Sequence, residues 1–149
     1  MNLVAPVSSI MARNTPTVMP KDTISKVKEI FERTKVLNIP VVRYKKVVGM
    51  INRIDFMSYC NRIGKQWSDF SFSSREQKTH TADEFMSDVP MLLECCDPIA
   101  VAVEMLRDDS LKALPVVQND NFMGIVTTHE VMEALAKEKV EECHYYSFY

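Results

Sequence analysis

The sequence predicts an α/β fold of two tandem β-α-β-β-α repeats, and three observations lead there. Pro40-Val41-Val42 and Pro115-Val116-Val117 are the same tripeptide, 75 positions apart (115 − 40 = 75). The same interval takes Asp22 to Asp97, Ile24 to Ile99, Glu29 to Glu104, Met11 to Met86 and Met57 to Met132, with no gap needed between Ile10 and Met57. Of the chain's three glycines, Gly49 and Gly124 lie in this register. A duplication of this length makes each copy a unit that buries its apolar face against the other. Two similar halves in one small domain leave clefts at their seam.

Each copy reads in the same order. A short leading segment (Ser8 to Met11; Ala82 to Met86) precedes a brief extended piece (Pro16 to Met19; Met91 to Glu94). A helix follows. In the first copy Asp22 is placed to cap it, and Ile24, Val27, Ile30 and Phe31 form one apolar stripe. In the second copy Asp97 is placed to cap, Pro98 takes the first helical position, and Ile99, Ala102, Met105 and Leu106 repeat the stripe.

Two strands come next. Ile39–Arg43 and Leu114–Gln118 are short apolar runs with proline near the start, where a missing N–H costs least. Tyr44-Lys45-Lys46 and Asn119-Asp120-Asn121 are read as turns, and Val47–Ile51 and Phe122–Val126 as the returning strands. Gly49 and Gly124 fall inside those strands, which points to a close approach of backbone or ligand. A last helix closes each copy, from about Arg53 to Arg62 and from Thr128 to about Lys139.

The chain thus divides into a first repeat (1–63), a linker (64–81), a second repeat (82–139) and an aromatic-rich tail (140–149). The linker is rich in Ser and Thr from Ser68 on and reads as a loop, with Trp67, Phe70 and Phe72 pinning it to the surface. The tail carries Tyr145, Tyr146, Phe148 and Tyr149, which suit either a frayed end or a subunit contact.

At 149 residues and 46% apolar content, the chain can bury a real core. A net charge of −2 argues against a nucleic-acid binder. No apolar run approaches the ~20 residues of a membrane span, and Met1–Met11 lacks signal-peptide pattern. Cys60, Cys95, Cys96 and Cys143 show neither disulfide-framework nor zinc-site spacing. Reduced thiols and a cytoplasmic location are expected. Met105 and Met123 occupy apolar repeat positions and are expected in the core.

Ile39-Pro40-Val41-Val42, then Val48-Gly49-Met50-Ile51-Asn52-Arg53-Ile54-Asp55, resembles a CBS motif, the domain type named after cystathionine beta-synthase. Leu114-Pro115-Val116-Val117, then Met123-Gly124-Ile125-Val126-Thr127-Thr128-His129-Glu130, resembles a second. Together, over about Ile10 to Leu135, they resemble a stand-alone CBS pair, or Bateman module. The resemblance implies halves related by a pseudo-twofold axis, with sheets packed together and helices outside. It implies two inter-repeat clefts that take adenosine-containing ligands (AMP, ADP, ATP or S-adenosylmethionine), homodimers, and regulation of a partner protein rather than catalysis. No cofactor is expected to be required.

In nucleotide-binding members the stretch after the glycine reads apolar-apolar-Ser/Thr-x-x-Asp. A carboxylate accepts from both ribose hydroxyls, and a hydroxyl at a helix N-terminus suits phosphate. The first copy has Asn52 and Asp55, keeping the acid; the second has Thr127 and Glu130, keeping the hydroxyl. By the same resemblance, Thr17 and the backbone around Ile39-Pro40 and Leu114-Pro115 hold the base, and Arg53 and His129 are placed to meet phosphates. Thr17 corresponds to Leu92 (17 + 75 = 92), which favours one good site over two. The same residues also satisfy a second reading. Thr127 to Glu130 is a capping box, and Asn52 with Asp55 is a capped helix with an acid in its first turn.

An enzyme is not expected. Three glycines cannot make GxxxxGK or GxGxxG, and neither HExxH nor CxxC occurs. A scaffold or dimerisation module that keeps the fold without the ligand is the alternative.

Overall fold

A computed structural model of the chain describes residues 1–67 and 71–138. The aromatic tail, Phe70 and the end of the last helix at Lys139 lie outside the described residues. Two small sheets form. Strand β1 (Asn38–Arg43) pairs antiparallel with β2 (Lys46–Asn52). Strand β3 (Leu93–Glu94) runs parallel to β4 (Leu114–Gln118), which pairs antiparallel with β5 (Asn121–Val126). Val18 makes the parallel bridge to Val41 that Leu93 makes to Val116 (18 + 75 = 93; 41 + 75 = 116). The register shifts between Val41 and Val42 recur between Val116 and Val117. The duplication therefore holds down to single bridges and bulges.

The helices largely follow the apolar stripes. Helix α1 (Ile24–Arg33) buries Ile24, Val27 and Phe31, with Ile30 half-buried against the same core. Helix α2 (Arg53–Arg62) buries Phe56 and Cys60, and burial pushes the Cys60 thiol up to about 11. Met105 and Met123 pack against the second core as expected.

Three local expectations are corrected. Asp22 is not the cap of α1. Thr23 is, accepting from the Lys26 N–H, while Asp22 accepts from the Met19 N–H in the turn before and pairs with Lys26. Asp97 likewise accepts from the Glu94 N–H, and Pro98 sits at the cap position of the later helix α5 (Ile99–Leu106) without a side-chain bond. The linker also holds a helix, α3 (Ser74–Thr79), started by a capping box between Ser73 and Glu76. A Lys65–Glu76 ion pair at 3.1 Å fixes it, and Phe72 is buried as expected. Trp67 meets Phe56 edge-on at 5.9 Å.

The leading segments are exchanged. A 3-10 turn at Val7–Ser9 packs on the second repeat, and its counterpart α4 (Ala82–Phe85; 7 + 75 = 82) packs on the first. The Ile24 N–H, first in α1, donates to the His80 carbonyl at 3.0 Å; the Ile99 N–H, first in α5, donates to the Ala5 carbonyl at 2.9 Å. Val7 donates to the Asp97 carbonyl (2.8 Å) as Ala82 donates to that of Asp22 (2.9 Å). Ala12 bridges Ile125 as Ser87 bridges Met50 (12 + 75 = 87; 125 − 75 = 50). Tyr59 on α2 holds the incoming segment, its hydroxyl 2.5 Å from His80 Nδ1. Two cores result, each made of one repeat and the leading segment of the other.

The in-register glycines mark the crossing points. A Cβ at Gly124 would lie 2.5 Å from the Ala12 carbonyl oxygen, which is backbone. A Cβ at Gly49 would meet the Met86 side chain, 2.8 Å from its Cγ. The close approach expected at both glycines is thus made by the other repeat's leading segment. Because a side chain yields and a hydrogen-bonded backbone does not, Gly124→Ala will be the costlier change, about 1–3 kcal/mol. Urea unfolding of both alanine variants checks this; equal midpoints would contradict it.

Candidate functional site

Each β-hairpin ends at a helix N-terminus, so the residues that start α2 and α6 (Thr128–Lys137) stand where the repeats meet. At the first, Asn52 ends β2 and caps α2. Its amide oxygen accepts from the N–H groups of Ile54 (3.0 Å) and Asp55 (3.4 Å), and its amide nitrogen donates to Asn38 Oδ1 (3.1 Å). Asn38 lies opposite Asn52 across the strands and is buried. This relay fixes the orientation of the Asn52 side chain. It leaves Asp55 exposed in the first helical turn, its carboxylate without a hydrogen-bond or ion-pair partner among the described residues.

Asp55, Asn52 and Asn38 line one wall of an inter-repeat cleft whose other wall is Ser87–Pro90 and Ser110–Ala113 of the second repeat. Asn38 and Ala113 are register equivalents (38 + 75 = 113), so the cleft sits across the pseudo-twofold axis. Its charged lining is Asp55, Asp88 and Lys112. The Ser110 N–H donates to Asp108, holding that carboxyl below the usual carboxylate range. The cleft encloses about 100 Å³. Typical small-molecule pockets hold roughly 300–1,000 Å³, so a nucleoside here would lie partly in solvent unless the halves separate.

The second start is arranged differently. Thr127 donates its N–H (2.7 Å) and its hydroxyl (2.5 Å) to the Glu130 carboxylate and accepts from the His129 N–H (3.1 Å). The hydroxyl and the acid expected to face a ligand bond each other in a capping box. Glu130 and His129 border a second hollow of about 310 Å³ between α6 and Ser9–Ala12. His129 is exposed with its Nε2 4.0 Å from Glu133, whose carboxyl is held below its usual range chiefly by Lys137.

The remaining candidates lie apart. Thr17 is exposed and borders neither hollow. Ile39 and Leu114 are wholly buried and Pro40 and Pro115 are buried, and the residues before them, Asn38 and Ala113, line the cleft. Arg53 does not face the cleft. Its guanidinium donates to the Phe31 carbonyl (2.8 Å) and lies 5.4 Å from the Trp67 ring centroid, clamping α1 to α2. Asp88 and Lys112 were not anticipated. Asp88 corresponds to Arg13 (88 − 75 = 13) and Lys112 to Leu37 (112 − 75 = 37), and that divergence in the repeat was the available signal. Among the described residues no cluster of His, Cys, Asp and Glu is arranged to hold a metal, and no helix is long and apolar enough to cross a membrane.

A family model described as CBS domain matches residues 7–62 and 84–137. No curated protein is matched by sequence. Among solved structures, an uncharacterized conserved protein from Pyrococcus horikoshii is similar over 95% of this chain and 99% of its own, at 15% identity and TM-score 0.73. A CBS domain-containing protein from Thermotoga maritima is similar over 93% and 99%, at 22% identity and TM-score 0.67. CBSX2, solved in complex with AMP, is similar over 89% and 96%, at 21% identity and TM-score 0.72.

The two helix starts separate by mutation. Thr127→Ala will cost about 1 kcal/mol of unfolding free energy as a lost cap. Asp55→Ala, whose carboxylate bonds nothing, will change stability by less than about 0.5 kcal/mol. Denaturant titration of both variants measures the difference, and a larger loss at Asp55 would contradict this placement.

Proposed function

The chain belongs to the CBS domain family, and from that premise we propose that it is a regulatory module binding an adenosine-containing ligand at the Asp55 cleft. The observation that carries this is the free Asp55 carboxylate on a wall facing the other repeat. A ribose offers two vicinal hydroxyls to such a carboxylate. The Asn38 amide, oriented by Asn52, supplies polar contact for the base. The likeness to CBSX2, which was solved with AMP, supports the ligand class. One site rather than two is favoured, because Thr127 and Glu130 bond each other.

Both walls of the cleft come from different repeats, so a ligand that bridges them biases their relative placement. That bias is what a partner would sense. The free thiols Cys60, Cys95 and Cys96 suit a cytoplasmic setting.

Thermal unfolding with adenosine, AMP, ADP, ATP and S-adenosylmethionine tests the proposal. A ligand at 100 times its dissociation constant adds about 2.7 kcal/mol, and Asp55→Ala removes the gain while leaving the unliganded midpoint in place. No gain with any of them at millimolar concentration rejects it.

A second reading, an interaction module, draws on the outer faces of the closing helices. Ile54 is 71%, Met132 58% and Leu135 44% exposed. Met57 and Met132 are register equivalents, so α2 and α6 present related apolar faces suited to a second copy of the chain. Sedimentation of the full chain should show a dimer that Met132→Lys converts to monomer; a monomeric parent protein would remove this reading.

A further inference from the structure

The hairpin joining β1 to β2 differs from its counterpart between β4 and β5 in ways that turn stability does not explain. Both have left-handed backbone at both central positions: Tyr44 (φ 50°) and Lys45 (φ 66°) in the first, Asn119 (φ 51°) and Asp120 (φ 63°) in the second. This backbone matches the twist of the paired strands. Asn and Asp enter it at low cost because their short polar side chains bond locally, whereas Tyr and Lys have no such compensation. The residues that close the turns differ in the same sense. Gln118 faces Asn121 in the second, but Arg43 faces Lys46 in the first, setting like charges directly opposite each other. Within four residues the first tip departs three times from what a hairpin needs. The second tip shows that this fold accommodates the undemanding sequence.

Those departures build a surface. Tyr44 is 86% exposed, with the Arg43 guanidinium 5.6 Å from its ring centroid. Arg43, Lys45 and Lys46 are exposed and form no salt bridge among the described residues. Val48, further along β2, is an exposed apolar neighbour. Arg and Tyr are the side chains that anchor protein interfaces, and a guanidinium matches a carboxylate in two parallel bonds. The patch is one turn long. The Phe122 N–H donates to the Lys45 carbonyl at 2.6 Å, which brings the Asp120 turn alongside. A nucleic acid, which needs a long row of cations, would run into that acidic turn on a chain of net charge −2. A short acidic peptide would not.

We infer that the tip from Arg43 to Lys46 is a docking surface for a short acidic segment of a partner protein, with its carboxylates on the three cations and one side chain against the Tyr44 ring. The tip lies at the opposite end of β1 and β2 from Asn38 and Asn52, so a partner there leaves the cleft open. Through the Lys45–Phe122 bond the tip is tied to the second repeat, and its position follows the placement of the two halves. The inference holds whichever ligand the cleft takes, and a failure of nucleotide binding does not touch it.

The test transplants the second tip onto the first in the full chain, as Tyr44→Asn with Lys45→Asp. Binding of labelled poly-L-glutamate is followed by anisotropy between low and moderate salt, beside a DNA duplex and phosphatidylserine vesicles. The parent protein should bind poly-L-glutamate best, more weakly as salt rises. The transplant should lose about tenfold or more in affinity while its unfolding midpoint rises by about 2–4 °C as the turn relaxes. Unchanged binding by the transplant, a midpoint that falls, or tighter binding of the parent protein to duplex or vesicles would each overturn the inference.

Discussion

Neither repeat can satisfy its own first helix. The N–H groups that open α1 and α5 belong to Ile24 and Ile99, whose side chains are in the cores. A helix has no acceptor of its own for these donors, and a buried donor left unpaired costs about 1–3 kcal/mol. The acceptors are the carbonyls of His80 and Ala5, each just before the leading segment of the opposite repeat. Once those segments cross, the rest follows. Val7 and Met11 enter the second core, Phe72 and Ala82 enter the first, and the strands that they cross need glycine at positions 49 and 124.

The two helix starts are unequal in chemistry although both caps have extended backbone. Asn52 finds Asn38 across the strands and spends its side chain on that amide and on two helix donors. Nothing in that network calls on the Asp55 carboxylate. In the second repeat the position of Asn38 is held by Ala113, which offers no side-chain partner, and Thr127 turns instead to Glu130. One methylene more in the acid lets it fold back onto the cap. The substitutions thus pair the acid with the cap at one helix start and leave it unpaired at the other.

Much of the fold was legible because its signals are local. The apolar strand runs, the turn residues and the apolar stripes of α1 and α5 each act within ten residues, and the 75-residue register doubled every one of them. Asp22 and Asp97 misled because both precede a helix by a step too many. Each closes the turn before it, a geometry the residue type also favours. Helix α3 was hidden by its composition, although Ser73-Ser74-Arg75-Glu76 carries the capping-box pattern. Asp55 could be read from its motif. The place of Asp88 and Lys112 opposite Asp55 could not, since it depends on how the two repeats pack. The contacts of Arg53 could not be read from the sequence, because its aromatic partners, Phe31 and Trp67, lie in other elements.

The exchange has a further consequence for what the linker does. Paired contacts such as Val7 with Asp97 and Ala82 with Asp22 are the self-complementary pattern of an isologous interface, in which each side gives what it receives. Two free copies of one half could in principle make every one of them. The linker, 64–81 in the sequence, joins the halves. Its role is that of a tether, holding the second half at an effective concentration in the millimolar range. Symmetry supplies the architecture, and covalent connection supplies the freedom for the halves to diverge, which two identical subunits could not do. The unpaired carboxylate of Asp55 and the bonded pair of Thr127 and Glu130 are that divergence in side-chain chemistry.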